Sequence, residues 1–265
     1  MRGDAALSGQ VAVITGATRG IGRQTALALG RAGATVVVVG RSREGNSNQV
    51  LPGTLESVAA ELQEMGADGR WIQADLTDSA STANVVDQTL AWFGRCDCVV
   101  NNAAYTSNGG ILEVPWSRWE KGFRVQVTAP LQLVQGFVPG MLDRGAGRVV
   151  NVSSDSASHL AEGLALYSTT KLAMERLTDY LHFELGGRGV SFNALHIELG
   201  VLTETWNWVV ETQGAERATL GGVVTETTTP QQVGAQIAWM LGQPDGWSGQ
   251  TIGCRQIAEM GGPAV

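Results

Sequence analysis

The 265-residue sequence contains few cysteines and few histidines. An odd, sparse set of three cysteines, Cys96, Cys98 and Cys254, does not make a disulfide framework. A metal site built on Cys96 and Cys98 would need two further close ligands, and only three histidines are present to supply them. We therefore expect core cysteines, with the thiols of Cys96 and Cys98 pointing the same way along one buried strand, and no metal.

The sequence also lacks an excess of positive charge and any apolar run of membrane-spanning length. Its net charge is −7, which makes nucleic acid and anionic membranes poor partners unless a local basic patch is present. The first ten residues, MRGDAALSGQ, contain no apolar core of a signal peptide. These absences predict a soluble, cytoplasmic protein that binds neither nucleic acid nor membrane.

What the sequence does contain is a regular alternation of strand-length apolar runs and segments of helical period. Runs such as TVVVVG (35–40) are continuous, which is typical of strands covered on both faces. We predict an α/β fold, a three-layer doubly wound parallel sheet of the Rossmann type with about seven strands. Strands are predicted at 10–15, 35–40, 71–75, 98–101, 148–153, 190–195 and 249–252, and helices near 20–32, 54–65, 78–93, 117–142, 164–185 and 230–241. The only linker-like stretch, 43–53, is too short to divide domains, so one dinucleotide-binding domain is expected over 1–265.

A glycine-rich turn, TGATRGIG (15–22), joins the first predicted strand to the first predicted helix. Gly16, Gly20 and Gly22 would let the backbone approach a pyrophosphate, and the helix N-terminus would supply free N–H groups. An ordinary tight turn is the alternative. The strand before the glycines and the helix after them favour a dinucleotide site.

Two arginines bear on which dinucleotide is bound. Arg19 lies within the glycine turn, and Arg41 directly follows the second strand, where this type of fold meets the adenosine ribose. An acidic residue there binds the 2′-hydroxyl of NAD, whereas an arginine accommodates the 2′-phosphate of NADP. Arg43 follows closely and no acidic residue occurs before Glu44. The pattern favours NADP(H) over NAD(H), and two solvated surface arginines are the alternative.

A tyrosine and a lysine lie four residues apart on a predicted helix. Tyr167 and Lys171 would share one helical face. A free tyrosine titrates near pH 10 and is a poor base at neutrality, but a neighbouring ammonium favours the phenolate. Tyr167 could then act as an acid or base near pH 7, with Ser154 hydrogen-bonded to a substrate oxygen. Alone, the Tyr-x-x-x-Lys spacing is common.

Taken together, TGATRGIG, NNAA (101–104), VNVSS (150–154) and YSTTK (167–171) resemble the motifs of the short-chain dehydrogenase/reductase family, in its single-domain branch. The resemblance covers nearly the whole chain. It implies that Tyr167 is the catalytic acid/base, that Ser154 orients the carbonyl or hydroxyl, and that Lys171 binds the nicotinamide ribose and lowers the tyrosine pKa. With the residues discussed above, the expected cofactor-binding set is Gly16, Arg19, Gly20, Ile21, Gly22, Arg41, Asp75, Leu76, Asn102, Ala103, Tyr167, Lys171 and Thr203.

The sequence departs from the family pattern at two places. Gln126 stands where the family usually has an asparagine whose main-chain carbonyl, at a helix kink, holds a water linked to the lysine. Pro130 has no N–H for the Gln126 carbonyl, so we predict a bend at 126–130 and a carbonyl unpaired within the helix, which makes Gln126 a candidate catalytic residue. Gln126→Asn should change activity modestly and Pro130→Ala more. The second departure is NALHIELGVLTET (193–205), which lacks the usual Pro-Gly after the sixth strand.

The predicted activity is hydride transfer between NADP(H) and a small carbonyl or alcohol substrate. By the resemblance, Tyr105, His159, Leu160 and the segment 203–210 should border the substrate pocket. Trp206 and Trp208 favour an apolar or ring-bearing substrate, unless they only pack the lid on the core. The family's habit of pairing two long helices implies a homodimer or homotetramer. A non-catalytic dinucleotide-binding or sensor protein is the alternative. A halohydrin dehalogenase on the same fold would lack the lysine and the glycine turn, so Lys171 and TGATRGIG argue against that chemistry.

Overall fold

A computed structural model describes residues 6–46, 51–214 and 225–265 of the chain. Its centre is a parallel sheet of seven strands in the order β3-β2-β1-β4-β5-β6-β9. A separate pair of two-residue strands, β7 and β8, lies outside this sheet. The strands are β1 Val11–Thr15, β2 Thr35–Gly40, β3 Gly69–Gln73, β4 Cys98–Asn101, β5 Gly147–Val152, β6 Val190–His196, β7 Gly200–Val201, β8 Thr227–Thr228 and β9 Thr251–Gly253.

Helices cover both faces of the sheet. Within the described ranges they are α1 Gly20–Arg31, α2 Leu55–Glu64, α3 Ser79–Phe93, α4 Trp116–Phe123, α5 Ala129–Arg144, α6 Ala165–Leu185, α7 Glu204–Gln213, α8 Pro230–Leu241 and α9 Cys254–Glu259. The predicted α/β class, parallel sheet and strand number are confirmed. The sequence pattern did not indicate α7, α9 or the β7–β8 pair.

Two apolar cores lie on opposite sides of the sheet, as three layers require. One core contains Cys98 and apolar residues of α1, α2, α8 and α9, and the other contains Cys96 and apolar residues of α3, α5 and α6. All three cysteines are free and buried. The prediction that Cys96 and Cys98 share one direction is wrong, because β4 begins only at Cys98 and the alternation of a strand does not extend back to Cys96.

The long helix predicted at 117–142 is interrupted near Gln126. A π-helical turn, Arg124–Thr128, separates α4 from α5, and the N–H of Ala129 donates to the carbonyl of Arg124, five residues back. Pro130 then occupies the second position of α5, where its missing N–H is tolerated. The helix is thus interrupted by a π-turn, a feature often found at functional sites. The predicted bend at 126–130 and the unpaired state of the Gln126 carbonyl stay predictions.

The order of the strands reverses between β1 and β4, since β2 and β3 lie on one side of β1 and the later strands on the other. In open parallel sheets, ligands bind in the crevice outside the carboxyl ends of the strands at this switch point. The segments that follow β1 to β6 carry the candidate residues Gly16, Arg41, Asp75, Asn102, Ser154 and Thr203. No helix in the described part of the chain is both long enough and apolar enough to cross a membrane.

Candidate functional site

The glycine turn after β1 is held by the loop after β4. Gly16 has φ +67°, and a Cβ on it would lie 2.9 Å from the Cα of Ala103. A Cβ on Gly22 would lie 2.4 Å from the carbonyl oxygen of Gly16. The Asn102 amide donates to the carbonyls of Thr15, at 2.8 Å, and Gly16, at 3.2 Å. These contacts within the protein already require glycine at both positions, before any ligand is considered.

A cleft at the switch point brings together seven of the predicted cofactor-binding residues. Its lining includes Gly16, Arg19, Arg41, Asp75, Leu76, Asn102 and Ala103. Leu51 lines the same cleft, and Gly53, with φ +103°, lies so close to the carbonyl of Thr18 that a Cβ would be 2.1 Å from it. Leu51 and Gly53 therefore lie close to the glycine turn, whereas residues 47–50 of the 43–53 segment lie outside the described part. Ile21 packs against a core, and Gly22 is buried in α1.

Arg19 and Arg41 share a polar pocket beside the ends of β2 and β3. Ser42, Gln73 and Asp75 also line it. Arg19 Nη2 donates to Ser42 Oγ at 2.9 Å, whereas its Nε is buried without a hydrogen-bond partner among the described residues. Burial lowers the pKa of Arg19, the carboxylate of Glu204 opposes that effect, and the charge of Arg41 adds to it. Two close guanidinium groups with an unused donor fit a dianionic ligand such as a phosphate.

Glu204, which the sequence analysis missed, occupies the N-terminus of α1. Its Oε2 accepts a hydrogen bond from the N–H of Gly20 at 3.1 Å. That N–H is one of the free donors that would meet a pyrophosphate, so the carboxylate stands where an anionic ligand group would bind. Glu204 is the first residue of α7, which Thr203 caps by accepting from the N–H of Trp206 at 3.1 Å. A contact 184 residues apart along the chain leaves no local sequence signal.

Asp75, after β3, is held in a defined orientation at the cleft. Its Oδ1 accepts hydrogen bonds from the N–H of Thr77 at 3.0 Å and from its hydroxyl at 2.9 Å. Burial raises the pKa of Asp75, but the two bonds from Thr77 outweigh it, with Arg41 and Lys121 helping, so that the pKa is lowered. Asp75 is therefore ionised and fixed at neutral pH.

Ser154, Tyr167 and Lys171 lie close together after β5 and along α6. Ser154 follows β5; its hydroxyl donates to Ser156 Oγ at 3.2 Å and lies near enough to Tyr167 to affect the pKa of the tyrosine. Tyr167 and Lys171 lie on successive turns of α6, with Lys171 Nζ 5.5 Å from the centroid of the tyrosine ring. Lys171 is 2% exposed, and its Nζ donates to the carbonyl of Val152 at 2.5 Å. The structure thus brings the three predicted residues close together.

The ionisation of the trio is set mainly by burial. Burial raises the pKa of Tyr167, and the hydrogen bond with Ser154 opposes this. Burial lowers the pKa of Lys171 to about 8, against the opposing charge of Glu175. The lowering of the tyrosine pKa by Lys171 stays a prediction; the positive charge of an oxidised nicotinamide would act in the same direction.

The Gln126 side chain forms hydrogen bonds to two different segments of the protein. It is fully buried; its Oε1 accepts from the N–H of Tyr105 at 2.8 Å and its Nε2 donates to Thr170 Oγ1 at 2.7 Å. Thr170 Oγ1 in turn lies 2.9 Å from the carbonyl of Tyr167. The glutamine therefore joins the loop after β4 to the turn of α6 that carries the tyrosine. Its role in the reaction stays a prediction.

A second pocket opens directly over Ser154 and Tyr167. Most of its remaining lining is apolar or weakly polar, including Leu164, Ile197, Trp206 and Val209. His159 and Thr203 also line it, as predicted from the family resemblance.

Three other expected pocket residues do not line this pocket. Tyr105 lines the cleft at the switch point instead, and its hydroxyl accepts from Arg118 at 2.9 Å. Leu160 is 97% exposed, and Trp208 does not line the pocket over Ser154 and Tyr167.

The second departure from the family pattern has a structural explanation. Glu198, in the loop after β6, accepts hydrogen bonds from the N–H groups of Cys254 and Arg255, both at 2.8 Å. The carboxylate thereby caps the N-terminus of α9. These two hydrogen bonds connect the loop after β6, which lacks the expected Pro-Gly, to α9 through the side chain of Glu198.

Comparisons with known proteins give a consistent picture. The family model described as short chain dehydrogenase matches residues 10–213. The chain is 32% identical to the "Short chain dehydrogenase pigC" of Monascus ruber over 72% of its own length but only 62% of that relative. It is 33% identical to an uncharacterized NAD-dependent oxidoreductase of Mycobacterium tuberculosis, over 72% of this chain and 71% of the relative. Among solved structures, L-sorbose reductase from Gluconobacter frateurii, in complex with NADPH and L-sorbose, matches with a TM-score of 0.82 and 26% identity, over 94% of this chain and 96% of that one.

Proposed function

The chain belongs to the short chain dehydrogenase family, a family of oxidoreductases, and we propose that it interconverts a carbonyl and an alcohol by hydride transfer with NADP(H). One observation carries this proposal: Ser154 and Tyr167 line one pocket, Lys171 lies buried beside the tyrosine ring, and the cleft at the glycine turn shares Thr106 and Thr205 with that pocket. When bound, the nicotinamide supplies or accepts the hydride.

The residues of the cleft fit this cofactor. Two donors in the cleft are suited to anionic groups. One is the Nε of Arg19, which has no partner among the described residues, and the other is the N–H of Gly20, which donates to the carboxylate of Glu204. Arg19 and Arg41 would hold the 2′-phosphate, the N-terminus of α1 the pyrophosphate, and Asp75 with Leu76 the adenine. Asn102, Ala103 and Thr203 would line the nicotinamide side.

The choice of NADP(H) over NAD(H) rests on the arginine pair. A relative is named NAD-dependent and a structural neighbour binds NADPH, so relatives alone do not decide between the cofactors. In this chain, two guanidinium groups face one pocket and repel each other, and a dianion there would relieve that repulsion.

Each residue of the trio has a proposed task. In reduction, Tyr167 donates its hydroxyl proton to the substrate oxygen as the carbonyl becomes an alcohol; in oxidation it takes that proton back. Ser154 holds the same oxygen through its hydroxyl, which orients the substrate and stabilises developing negative charge. Lys171, as an ammonium, binds the ribose of the nicotinamide nucleoside and favours the phenolate of Tyr167.

A second copy of this chain is the proposed partner. On α6, Leu172, Tyr180 and Phe183 are 52%, 56% and 83% exposed, and Trp116 on α4 is 75% exposed. Apolar surface of this kind on two helices is typical of a self-association face. We therefore propose a homodimer or homotetramer, which a mass measurement in solution tests.

The experiment that tests the function combines binding with turnover. NADPH and NADH are titrated by fluorescence, and a panel of ketoses and of apolar or aromatic ketones is then followed at the nicotinamide absorbance. Tyr167→Phe should retain NADPH binding and lose about 10²-fold or more in turnover, because the acid is removed and the cleft is not. Tight binding with no turnover on any carbonyl or alcohol would instead identify a non-catalytic dinucleotide-binding protein.

A further inference from the structure

Four ionisable side chains beside the trio form one connected group. Glu175 Oε1 lies 2.7 Å from His196 Nδ1, and His196 Nε2 lies 3.4 Å from Asp155 Oδ1. The same oxygen of Asp155 lies 2.9 Å from His159 Nδ1. The group therefore runs from α6, which also carries Lys171, past the end of β6 to the wall of the substrate pocket.

The middle of this group favours a charged histidine between two carboxylates. Both ring nitrogens of His196 face carboxylate oxygens, which is the arrangement that an imidazolium satisfies best. The side chains of His196 and Glu175 are only 17% and 12% exposed. The hydrogen bond with Glu175 raises the pKa of His196, burial opposes this, and Asp155 adds to the rise. His196 thus fixes the Glu175 side chain in a largely buried place.

Lys171 is buried, and a buried ammonium keeps its proton more readily when a negative charge lies nearby. Its Nζ bonds to the carbonyl of Val152, which carries no net charge, and it lies against the ring of Tyr167. Glu175 is four residues further along α6 and so lies on the same face, one turn away. Its charge opposes the burial that depresses the pKa of the lysine. The chain of contacts ends at Asp155 and His159, and no cluster of acidic, histidine or cysteine side chains in the described ranges has the arrangement of a metal site.

We propose that Glu175, held in place by His196, is a positioning residue that keeps Lys171 protonated through the neutral pH range. The effect is electrostatic, and no proton passes through the pair. The part of this proposal that concerns catalysis rests on the function proposed above, because it assumes that Lys171 acts as an ammonium. The alternative is a purely structural group that fastens the end of β6 to α6.

The composition of the chain permits a direct measurement. The sequence contains only two lysines, Lys121 and Lys171. Protein labelled with 13C at the lysine ε-carbon should therefore give two side-chain signals in an NMR spectrum. Their pH titration reports the protonation of Lys171 with Lys121 as an internal reference, and it requires no substrate or turnover. The Lys171 signal should titrate near pH 8, the value to which burial lowers its pKa.

The decisive variant is Glu175→Gln, which removes the charge and keeps the shape. We expect the midpoint of Lys171 to fall by about 0.5 to 1 pH unit, less than a contacting charge would give, because Glu175 is a turn away. Glu175→Asp, which keeps the charge, should restore most of the shift. Glu184→Gln makes the same change at an exposed position of α6 and should leave the midpoint unchanged. Equal midpoints in Glu175→Gln and Glu184→Gln would overturn the proposal.

A second measurement needs no variant at Glu175, so it holds even if that variant does not fold. The chain has three histidines, whose imidazole signals can be assigned and titrated. His196 should titrate above the ordinary histidine value of about 6.5, because two carboxylates face its ring. A midpoint for His196 at or below that value would show that the pair is not ionised, and the proposal would fail.

Activity supplies the last arm. If the enzyme turns over a carbonyl, the alkaline limb of kcat/KM should move to lower pH in Glu175→Gln by the same amount as the Lys171 midpoint. A shift of the lysine midpoint without a shift of the limb would refute the link to catalysis. A complete lack of turnover in the wild-type protein would count against the proposed function, while the lysine titration would still decide the role of Glu175.

Discussion

Replacing Arg41 by alanine should weaken the binding of NADPH and leave that of NADH nearly unchanged. Arg41 is exposed at the end of β2 and faces the pocket that it shares with Arg19, whose buried Nε has no partner among the described residues. A 2′-phosphate would sit between the two guanidinium groups. NADH lacks that phosphate and would not contact Arg41.

The expected loss follows from the exposure of the arginine. A hydrogen bond to a charged group contributes about 1.5–3 kcal/mol when well shielded, and less at an exposed site where water and salt compete. For Arg41 we expect about 1–2 kcal/mol, which corresponds to an increase of about 5- to 30-fold in the Kd of NADPH. The Kd of NADH should change by less than about twofold.

Fluorescence titration of both cofactors, at low and at high salt, measures these constants. The loss for NADPH should shrink as salt rises, because an exposed charge pair is screened. Arg43→Ala is a matched control: Arg43 lies two residues away, but its guanidinium pairs with Glu56 at 3.4 Å and stacks over Trp71 at 5.3 Å. The reasoning fails if Arg41→Ala weakens both cofactors alike, if Arg43→Ala has the same effect, or if the wild-type protein prefers NADH.

Two further predictions concern residues whose contacts are unusual. Glu204→Gln should tighten NADPH and NADH binding about two- to fivefold. The substitution replaces the carboxylate that accepts from the N–H of Gly20, so a pyrophosphate would compete with a neutral amide instead of a charged group. Unchanged affinity in the same titration would mean that the contact does not compete. Gln126→Ala should lower the free energy of unfolding by about 2–4 kcal/mol, because it leaves the half-buried N–H of Tyr105 without its acceptor, removes the bond to the Thr170 hydroxyl and opens a cavity at a fully buried position. Urea denaturation measures it, and a loss below about 1 kcal/mol would contradict the bridging role.

Glu204→Gln has a control on the same helix, and Gln126→Ala has one on α5, which directly follows the π-turn. Glu211→Gln removes an exposed carboxylate from α7 and should not alter cofactor affinity. Gln132→Ala removes an exposed amide on α5 that donates to the carbonyl of Ser79 at 2.8 Å, and it should cost less than about 1 kcal/mol, since water can replace that bond.

The sheet and the order of its elements could be predicted because they follow from local patterns. The valine run of β2 is buried along nearly its whole length, and the predicted bounds of β2 and β4 match the structure. The cleft residues could also be placed, since each follows a strand and the carboxyl ends of parallel strands meet at one edge. Where local pattern and fold coincide, the sequence is informative.

The contacts that were missed join residues far apart in the chain. Glu204 reaches Gly20 across 184 positions, and His196 reaches Glu175 from a different element. Neither lies in a motif, because a carboxylate that accepts a backbone N–H or an imidazole needs only to be near it in space. The same reasoning explains the cysteine error: whether Cys96 belongs to β4 depends on where strand pairing begins, and pairing is decided by the neighbouring strand.

The two departures from the family pattern share one physical feature. Gln126 and Glu198 each use a side chain to fasten backbone: the amide fastens the loop after β4, and the carboxylate fastens the N-terminus of α9. Both changes lie beside the pocket, and neither removes a group of the trio. A protein that had lost turnover would have no reason to retain Ser154 and Tyr167 at one pocket, with Lys171 buried beside the tyrosine ring, while rebuilding the supports around them. The departures are therefore better explained as a differently braced active site than as a cofactor-binding relic, and the Tyr167→Phe comparison separates these two explanations.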